Sequence, residues 1–163
     1  MLIGIVSDTH NNIKNIRRII SIFNEVGVGS VVHTGDITNS DSLEIFSELN
    51  CDFYGVFGNN DRNELGLVEV ANKHGFDIRN PPFKLNLENR MIAIFHEPDS
   101  IDDYLSLHNN LDIVLHGHTH RYREEQINDT LLFNPGESAG IVPGKNAIGI
   151  INLKNLTIDR IFF

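Results

Sequence analysis

The first half of the chain repeats one pattern three times: a short apolar run, a polar loop, and a segment whose apolar residues recur at helical spacing. Strands are predicted at residues 2–6, 30–32 and 52–57. Helices are predicted at residues 13–23, at residues 40–49, and between a cap at Asp61 and a stop at Gly75. Strands that alternate with helices in this way form a sheet of parallel strands. The pattern therefore predicts a parallel sheet at the core.

The pattern of the second half of the chain predicts a sheet that turns mixed or antiparallel. Residues 83–87 and 91–95 flank Glu88-Asn89-Arg90, which predicts a hairpin with a three-residue connection. A helix is predicted at residues 101–108, and strands at 112–115, 121–127, 131–133, 147–153 and 157–163. We expect a single α/β domain over residues 1–163, built as a four-layer α-β-β-α sandwich of two mixed β-sheets flanked by helices.

Composition narrows the classes of partner. The only cysteine is Cys51, which excludes an intrachain disulfide and a cysteine-based zinc site. The formal net charge of -9 would repel long nucleic acids, which bind through several Lys or Arg contacts to phosphate. No stretch approaches the roughly 20 apolar residues of a membrane span, and the N-terminus lacks the pattern of a secretory leader. We therefore expect a cytoplasmic protein without a membrane or long nucleic acid partner.

Side chains that commonly bind metals follow the predicted strands in a fixed order. They are Asp8, His10, Asp36, Asn59, His96, His118 and His120. Each motif alone is also typical of a helix cap, a turn or a buried histidine. Together they come at the carboxyl ends of different strands, where α/β sheets place their ligands. Carboxylate, amide and imidazole donors in this mixture suit divalent cations of the Mn, Fe, Co, Ni and Zn group. The order therefore favours a two-metal hydrolytic site.

Two of these motifs place donors two positions apart. Alternate residues of an extended segment point to the same side, so Asp8 and His10 are expected to reach one ion. His118 and His120 have the same spacing at another strand end, which suits ligands of neighbouring ions.

The motifs resemble those of the calcineurin-like metallophosphoesterase superfamily, whose pattern is Asp-x-His, Gly-Asp, Gly-Asn-His-Asp, His and Gly-His-x-His. The resemblance spans residues 8–120, and the short chain with Asn134-Pro135-Gly136 is similar to the small single-domain phosphodiesterases of archaea and bacteria. It implies two divalent transition-metal ions, Mn or Ni before Fe, Co or Zn. It also implies that Asp36 bridges them, with Asp8, His10 and His120 on one ion and Asn59, His96 and His118 on the other.

Two positions depart from the superfamily pattern. Asn60 stands where relatives often have a histidine that protonates the leaving group, and a carboxamide cannot act as that acid. Its amide can still donate a hydrogen bond to a phosphoryl oxygen. Glu137 stands where relatives often have a serine, which argues against a phosphate contact from that loop. We expect Asp36, Asn60 and His10 to be the catalytic residues.

The expected function is that of a metal-dependent phosphodiesterase, which hydrolyses small phosphodiesters with a water activated by two metals. The alternative is a catalytically weak or inactive scaffold that uses the same fold for protein contacts, as the metallophosphoesterase-like subunit of retromer does. A nuclease would need basic surface that the net charge does not offer.

Three arginines follow the ligand motifs, and we interpret Arg62, Arg121 and Arg123 as solvated surface residues. The apolar end Ile161-Phe162-Phe163 indicates either core burial or a homo-oligomer surface.

Overall fold

Strands and helices alternate through the first half of the structure, and strands dominate the second. The computed structural model describes residues 1–62 and 64–163. Its first half contains β1 (Leu2–Val6), α1 (Ile13–Val26), β2 (Ser30–His33), α2 (Ser40–Ile45), β3 (Asp52–Val56), α3 (Leu67–His74) and β4 (Asp77–Arg79). Its second half contains β5 (Phe83–Leu87), β6 (Arg90–Ile94), α4 (Ile101–Leu107), β7 (Ile113–Leu115), β8 (Arg123–Ile127), β9 (Thr130–Asn134), β10 (Ala147–Asn152) and β11 (Thr157–Phe162).

The strands form two mixed sheets. One has the order β11-β10-β1-β2-β3-β4, in which β1 to β4 run parallel and β10 and β11 are antiparallel additions. The other has the order β5-β6-β7-β9-β8, in which β6, β7 and β9 run parallel between two antiparallel edges. The parallel core predicted from the first half is thus present, and each sheet is mixed as expected.

Three apolar clusters make the four layers. Residues of both sheets, among them Ile5, Ile94 and Phe133, are fully buried between the sheets. Helix α1 presents Ile16 and Phe23 to the outer face of the six-stranded sheet, because apolar residues at helical spacing form one stripe. Helix α4 covers the outer face of the other sheet. The observed architecture confirms the predicted α-β-β-α sandwich.

The third helix begins later than the sequence predicts. Helix α3 starts at Leu67, after Gly66 in a left-handed conformation, and not close to Asp61. Leu65 is 92% exposed, so the apolar spacing that suggested an earlier start does not mark a buried face. Asn63, which falls within the predicted helix, lies outside the described residues. The short strand β4 was not predicted at all.

Other boundaries move by a few residues. The hairpin connection has two residues and not three, because Arg90 pairs with Leu87. Glu88 and Asn89 both have positive φ, the conformation that two-residue hairpin turns require. The predicted helix at 40–49 ends as α2 at Ile45 and continues as a 3-10 turn over Phe46–Glu48. In the part of the chain that the structure describes, no helix has both the length and the apolar character to cross a bilayer.

Candidate metal centre

The seven predicted ligands come together at one edge of the sandwich. They lie in five loops, each at the carboxyl end of a parallel strand: Asp8 and His10 after β1, Asp36 after β2, Asn59 after β3, His96 after β6, and His118 and His120 after β7. The first three strands belong to the six-stranded sheet and the last two to the other sheet. The site therefore spans both sheets, which is why it needs the two sheets to be packed face to face.

One group of donors surrounds Asp8. Ligand atoms of Asp8, His10 and His120 lie within 4.8 Å of one another. His120 Nε2 is 3.6 Å from Asp8 Oδ1, and the rings of His10 and His120 stack with centroids 5.4 Å apart. Among the described residues, His10 Nε2 has no hydrogen-bond partner although it is buried. A buried nitrogen of this kind is free to bind a cation.

A second group surrounds Asn59. Its side-chain oxygen lies 2.9 Å from His96 Nε2 and 3.0 Å from His118 Nδ1. His96 Nε2 is also 3.4 Å from Asp36 Oδ1, while Asp36 Oδ2 lies 4.0 Å from His10 Nε2. Asp36 thus offers one carboxylate oxygen to each group. The geometry brings all seven predicted residues together, with Asp36 between the two sets.

The backbone at the ligands is unusual. Asp8, His10, Asp36, His118 and His120 all have φ between +46° and +66°, the left-handed region that side chains other than glycine seldom occupy. The prediction that alternate residues of an extended segment would aim these side chains is therefore wrong. They are aimed by tight turns, each of which costs on the order of 1–3 kcal/mol and persists only where surrounding contacts impose it.

The carboxylate of Asp61 supplies several of those contacts. It accepts hydrogen bonds from the backbone N–H groups of Gly58, Asp36 and Thr38 at 2.7, 2.8 and 2.7 Å. Asp61 is only 3% exposed, so water cannot replace it. The prediction that Asp61 caps the third helix is wrong, because its oxygens bind the loop after β2 and the turn that carries Asn59. The sequence offered one signal, since Asp61 ends the Gly-Asn-x-Asp motif.

A second carboxylate ties the two sheets together. The backbone N–H of His118 donates to the carboxylate of Asp8, at 3.1 Å from Oδ2. The backbone N–H of Asp8 donates in turn to Gly35 O at 3.2 Å, and that of His10 to Asp36 O at 2.9 Å. These bonds fix the loops after β1, β2 and β7 relative to one another.

The charges at the centre are unevenly compensated. Burial raises the pKa of Asp8, although a hydrogen bond from Ser7 acts in the opposite direction. Burial also opposes ionisation of Asp36, but hydrogen bonds from His96 and Asn60 hold its pKa well below the usual range. Burial likewise disfavours the charged form of His96, yet its bond to Asp36 raises the His96 pKa overall. Divalent cations would supply counter-charge to both carboxylates.

The ring of His33 forms hydrogen bonds to the loops that follow β1 and β2. It is fully buried, its Nδ1 accepts the N–H of Gly35 at 3.1 Å, and its Nε2 lies 2.9 Å from Thr9 Oγ1. Because Nδ1 accepts a hydrogen bond, the ring must be neutral with its proton on Nε2. Burial lowers the pKa of His33 to about 3.

The two positions that depart from the superfamily pattern both have contacts in the structure. Asn60 Nδ2 donates to Asp36 Oδ2 at 2.8 Å, and its backbone N–H donates to Asp36 Oδ1 at 3.0 Å. Glu137 is buried, accepts the N–H groups of Ile141 and Val142, and lies 3.7 Å from His120 Nδ1. Glu137 therefore stabilises its own loop behind His120, a role that the sequence did not reveal.

Comparisons with known proteins agree with this geometry. A family model described as the calcineurin-like phosphoesterase superfamily domain matches residues 1–155. A phosphodiesterase of Methanocaldococcus jannaschii is 33% identical over 154 residues, which cover 93% of each chain. The solved structure of an archaeal phosphodiesterase is 31% identical, covers all of both chains and gives a TM-score of 0.90. Vps29 of Entamoeba histolytica, solved in complex with Zn²⁺, gives a TM-score of 0.71 at 16% identity over 99% of each chain, a likeness in fold alone.

Replacing Asp61 by alanine should destabilise the protein even without metal. Three buried N–H groups would lose their acceptor, at about 1–3 kcal/mol each, so the free energy of unfolding should fall by about 3 kcal/mol or more. Urea unfolding in the presence of a chelator measures this change. Asp159→Ala, at an exposed position of β11, is the control and should change it by less than about 0.5 kcal/mol. Equal stability of Asp61→Ala and wild type would contradict the role of Asp61.

His33 should make the fold sensitive to acid. The unfolded chain protonates this ring near pH 6.5, whereas the folded chain does so only near pH 3. As the pH falls between those values, the unfolded state binds one more proton, so the free energy of unfolding drops by about 1.4 kcal/mol per pH unit. His33→Gln removes this proton, so the stability difference between wild type and variant should narrow from pH 7 to pH 5. A His33 ring that titrates near 6.5 in NMR spectra of the folded protein would refute the prediction.

Proposed function

This chain belongs to the calcineurin-like phosphoesterase superfamily, and we propose that it is a metal-dependent phosphodiesterase acting on small phosphodiesters. The observation that carries the proposal is the position of Asp36, whose two carboxylate oxygens face separate groups of donors. A curated relative and a solved structure that are both named as phosphodiesterases, each aligned over nearly the whole chain, support the choice of diesters.

The donors fit a pair of divalent transition-metal ions. One ion would be held by Asp8, His10, Asp36 and His120, and the other by Asp36, Asn59, His96 and His118. His10 Nε2 is a buried nitrogen without a hydrogen-bond partner among the described residues, and His120 Nε2 lies 3.6 Å from Asp8 Oδ1. Oxygen and imidazole donors together suit Mn or Ni, which we place before Fe, Co and Zn.

Such ions, when bound, lower the pKa of water and neutralise the non-bridging oxygens of a phosphoryl group. The chain's own contribution is to hold the donors in place and leave one side open. Asp8, Asp36 and His96 form a buried floor, whereas Asn59 and His118 are exposed at the rim. A phosphodiester can therefore approach from solvent while the carboxylates stay shielded. His10 is grouped with Asp36 as catalytic because both stand beside the space where the phosphoryl group would lie.

Asn60 limits which leaving groups this site can expel. Its amide donates to Asp36, which fixes the carboxylate and keeps the Asn60 side chain beside the reacting centre. A carboxamide can stabilise negative charge on a phosphoryl oxygen by a hydrogen bond, but it cannot protonate a leaving group. We assign Asn60 to charge stabilisation only, so this residue gives the leaving group no proton.

The proposed partner is a small phosphodiester. A net charge of -9 disfavours long nucleic acid. We propose a cytoplasmic location and no membrane partner. Phe162 is 56% exposed, whereas Ile161 and Phe163 pack partly against the apolar cluster beneath the helices. A homo-oligomer through the C-terminus would therefore depend on Phe162.

The alternative is a scaffold of the same fold for protein contacts. The likeness in fold to Vps29 and the missing acid at Asn60 favour it. Hydrolysis of bis(p-nitrophenyl) phosphate by the chelated, Mn-loaded and Ni-loaded protein separates the two functions. A rate no higher than that of the metal alone would favour the scaffold.

Asp36→Ala should lose at least one bound ion and nearly all turnover. The variant loses the carboxylate whose two oxygens lie near His10 and His96, so elemental analysis should find at most one ion per chain where two are expected in wild type. Turnover of bis(p-nitrophenyl) phosphate should fall by at least about a thousandfold at any metal concentration. Asp159→Ala, far from the site on β11, should behave as wild type. Wild-type turnover by Asp36→Ala would refute the two-metal proposal.

The rate should depend steeply on the acidity of the leaving group. Without an acid beside Asn59, aryl phosphodiesters should react far faster than alkyl ones. Asn60→His should raise kcat on alkyl esters by about tenfold or more, within the range of general acid catalysis. Asn60→Gln is the matched control, because it keeps an amide and adds no acid. Rates that ignore leaving-group pKa would contradict the assignment of Asn60.

A further inference from the structure

We propose that a cavity beside the metal centre binds the second ester substituent of the substrate, and that this substituent has a flat apolar body and its own negative charge. The cavity has a volume of about 350 Å³ and is lined by His120, Arg121, Tyr122, Lys145, Arg160 and Phe162. We call it the cationic cavity. The inference rests on the proposed phosphodiesterase function, because it assigns the part of the substrate that does not react.

His120 connects the cavity to the site. Its ring lines the cationic cavity, and its Nε2 lies 3.6 Å from Asp8 Oδ1 within the first group of donors. A phosphodiester bound at the proposed metal centre could therefore direct one substituent past His120 into the cavity. The volume suffices for a ring with a charged group, at the lower end of the range for small-molecule sites.

The cavity is lined by positively charged side chains, whereas the protein as a whole is acidic. Within the described ranges, Arg121, Lys145 and Arg160 form no ion pair with a carboxylate, although the chain carries an excess of nine acidic groups. By contrast, Arg62 pairs with Glu97 and Arg123 with Glu125. Arg121 is exposed, as predicted for a surface arginine, and it also lines a cavity next to the site.

One acidic residue lines the cationic cavity, and its carboxylate already accepts hydrogen bonds from the backbone. Glu137 lines the cavity, but its two carboxylate oxygens accept the backbone N–H groups of Val142 and Ile141. It is 2% exposed, and among the described residues it forms no ion pair with Arg121, Lys145 or Arg160. An anionic group on the substrate would supply an ion-pair partner.

Arg160 is held in a fixed position. Its guanidinium carbon lies 4.3 Å from the ring centroid of Tyr122 and 4.4 Å from that of Phe162, and its Nε donates to Pro135 O at 2.8 Å. Gly136 permits this approach, because a Cβ there would lie 2.9 Å from Arg160 Nη2. A guanidinium held in this way loses little freedom when it binds an anion.

The remaining wall is apolar. Tyr122 and Phe162 are 46% and 56% exposed, and Val142 is 48% exposed beside them. Aromatic faces next to cations suit a flat ring that bears a carboxylate or a phosphoryl group. The cavity therefore selects for an aromatic or similar body with an extra anion, which a simple alkyl ester lacks.

The test compares esters that share one leaving group. The probes are p-nitrophenyl phenyl phosphate and its 3-carboxyphenyl and 3-phosphonophenyl counterparts, assayed with the Mn-loaded full chain. Wild type should prefer the anionic esters in kcat/KM by about tenfold at low salt, and the preference should shrink as ionic strength rises. The carboxylate and phosphonate arms identify which anion the cavity takes. Equal kcat/KM for all three esters would overturn the inference.

Lys145→Gln and Arg121→Gln are the informative variants, because both side chains are exposed and lie outside the proposed metal ligands. Each should reduce the preference for anionic esters about threefold and leave the phenyl ester within about twofold. Lys154→Gln, at the opposite end of the sandwich beside Leu153 and Met1, is the charge-matched control and should keep the full preference. Loss of activity on the phenyl ester as well would contradict a role restricted to the substituent.

Binding without turnover separates this inference from the proposed function. Titration of the 3-carboxyphenyl ester into chelated protein should shift the amide NMR signals of Tyr122, Val142 and Phe162. Those shifts without turnover in the Mn-loaded form would refute the phosphodiesterase and retain the cavity. Turnover without those shifts or the ester preference would refute the cavity and retain the phosphodiesterase, whereas absence of both would refute both.

Discussion

The carboxylate of Asp61 binds three backbone N–H groups that no strand or helix pairs, and the geometry of the site depends on those bonds. They hold Asp36 and the turn around Asn59 in place, while the Asp8 carboxylate does the same for His118. Turns in the left-handed region are unfavourable for aspartate and histidine and persist only when such contacts impose them. The ligands are therefore oriented by buried hydrogen bonds before any cation binds.

The electrostatics follow from the same burial. Two carboxylates with little solvent lie within reach of imidazoles, which compensate Asp36 better than Asp8. Farther out, the cationic cavity places unpaired positive charge on one side of the centre in an otherwise acidic protein. This charge would attract a small anion locally, even though the overall charge would repel long polyanions.

Much of the fold could be predicted because it depends on local periodicity. Apolar runs located the parallel strands, and the spacing of residues such as Ile16 and Phe23 located α1. The candidate ligands could be predicted because they follow strand ends in a fixed order. Asp61 was misassigned because an aspartate ahead of an apolar segment fits a helix cap equally well, and its true partner Asp36 lies 25 positions away.

Other features depend on contacts between distant segments, which a single sequence does not encode locally. Lys145 and Arg160 join Arg121 only after β11 packs beside the loop that follows β9. Likewise, Glu137 came to notice as a departure from a family pattern, whereas its partners Ile141 and Val142 depend on the conformation of the loop. Strand β4 has only three residues, too few to show a period.

The central claim is that Asp36 joins two groups of donors into one dinuclear site. Anomalous diffraction from crystals of the Mn-loaded protein tests it most directly. The account predicts two peaks about 3.5 to 4 Å apart, both in contact with Asp36, one also with Asp8 and the other with His96. A single peak, or a second peak away from Asp36, would contradict it.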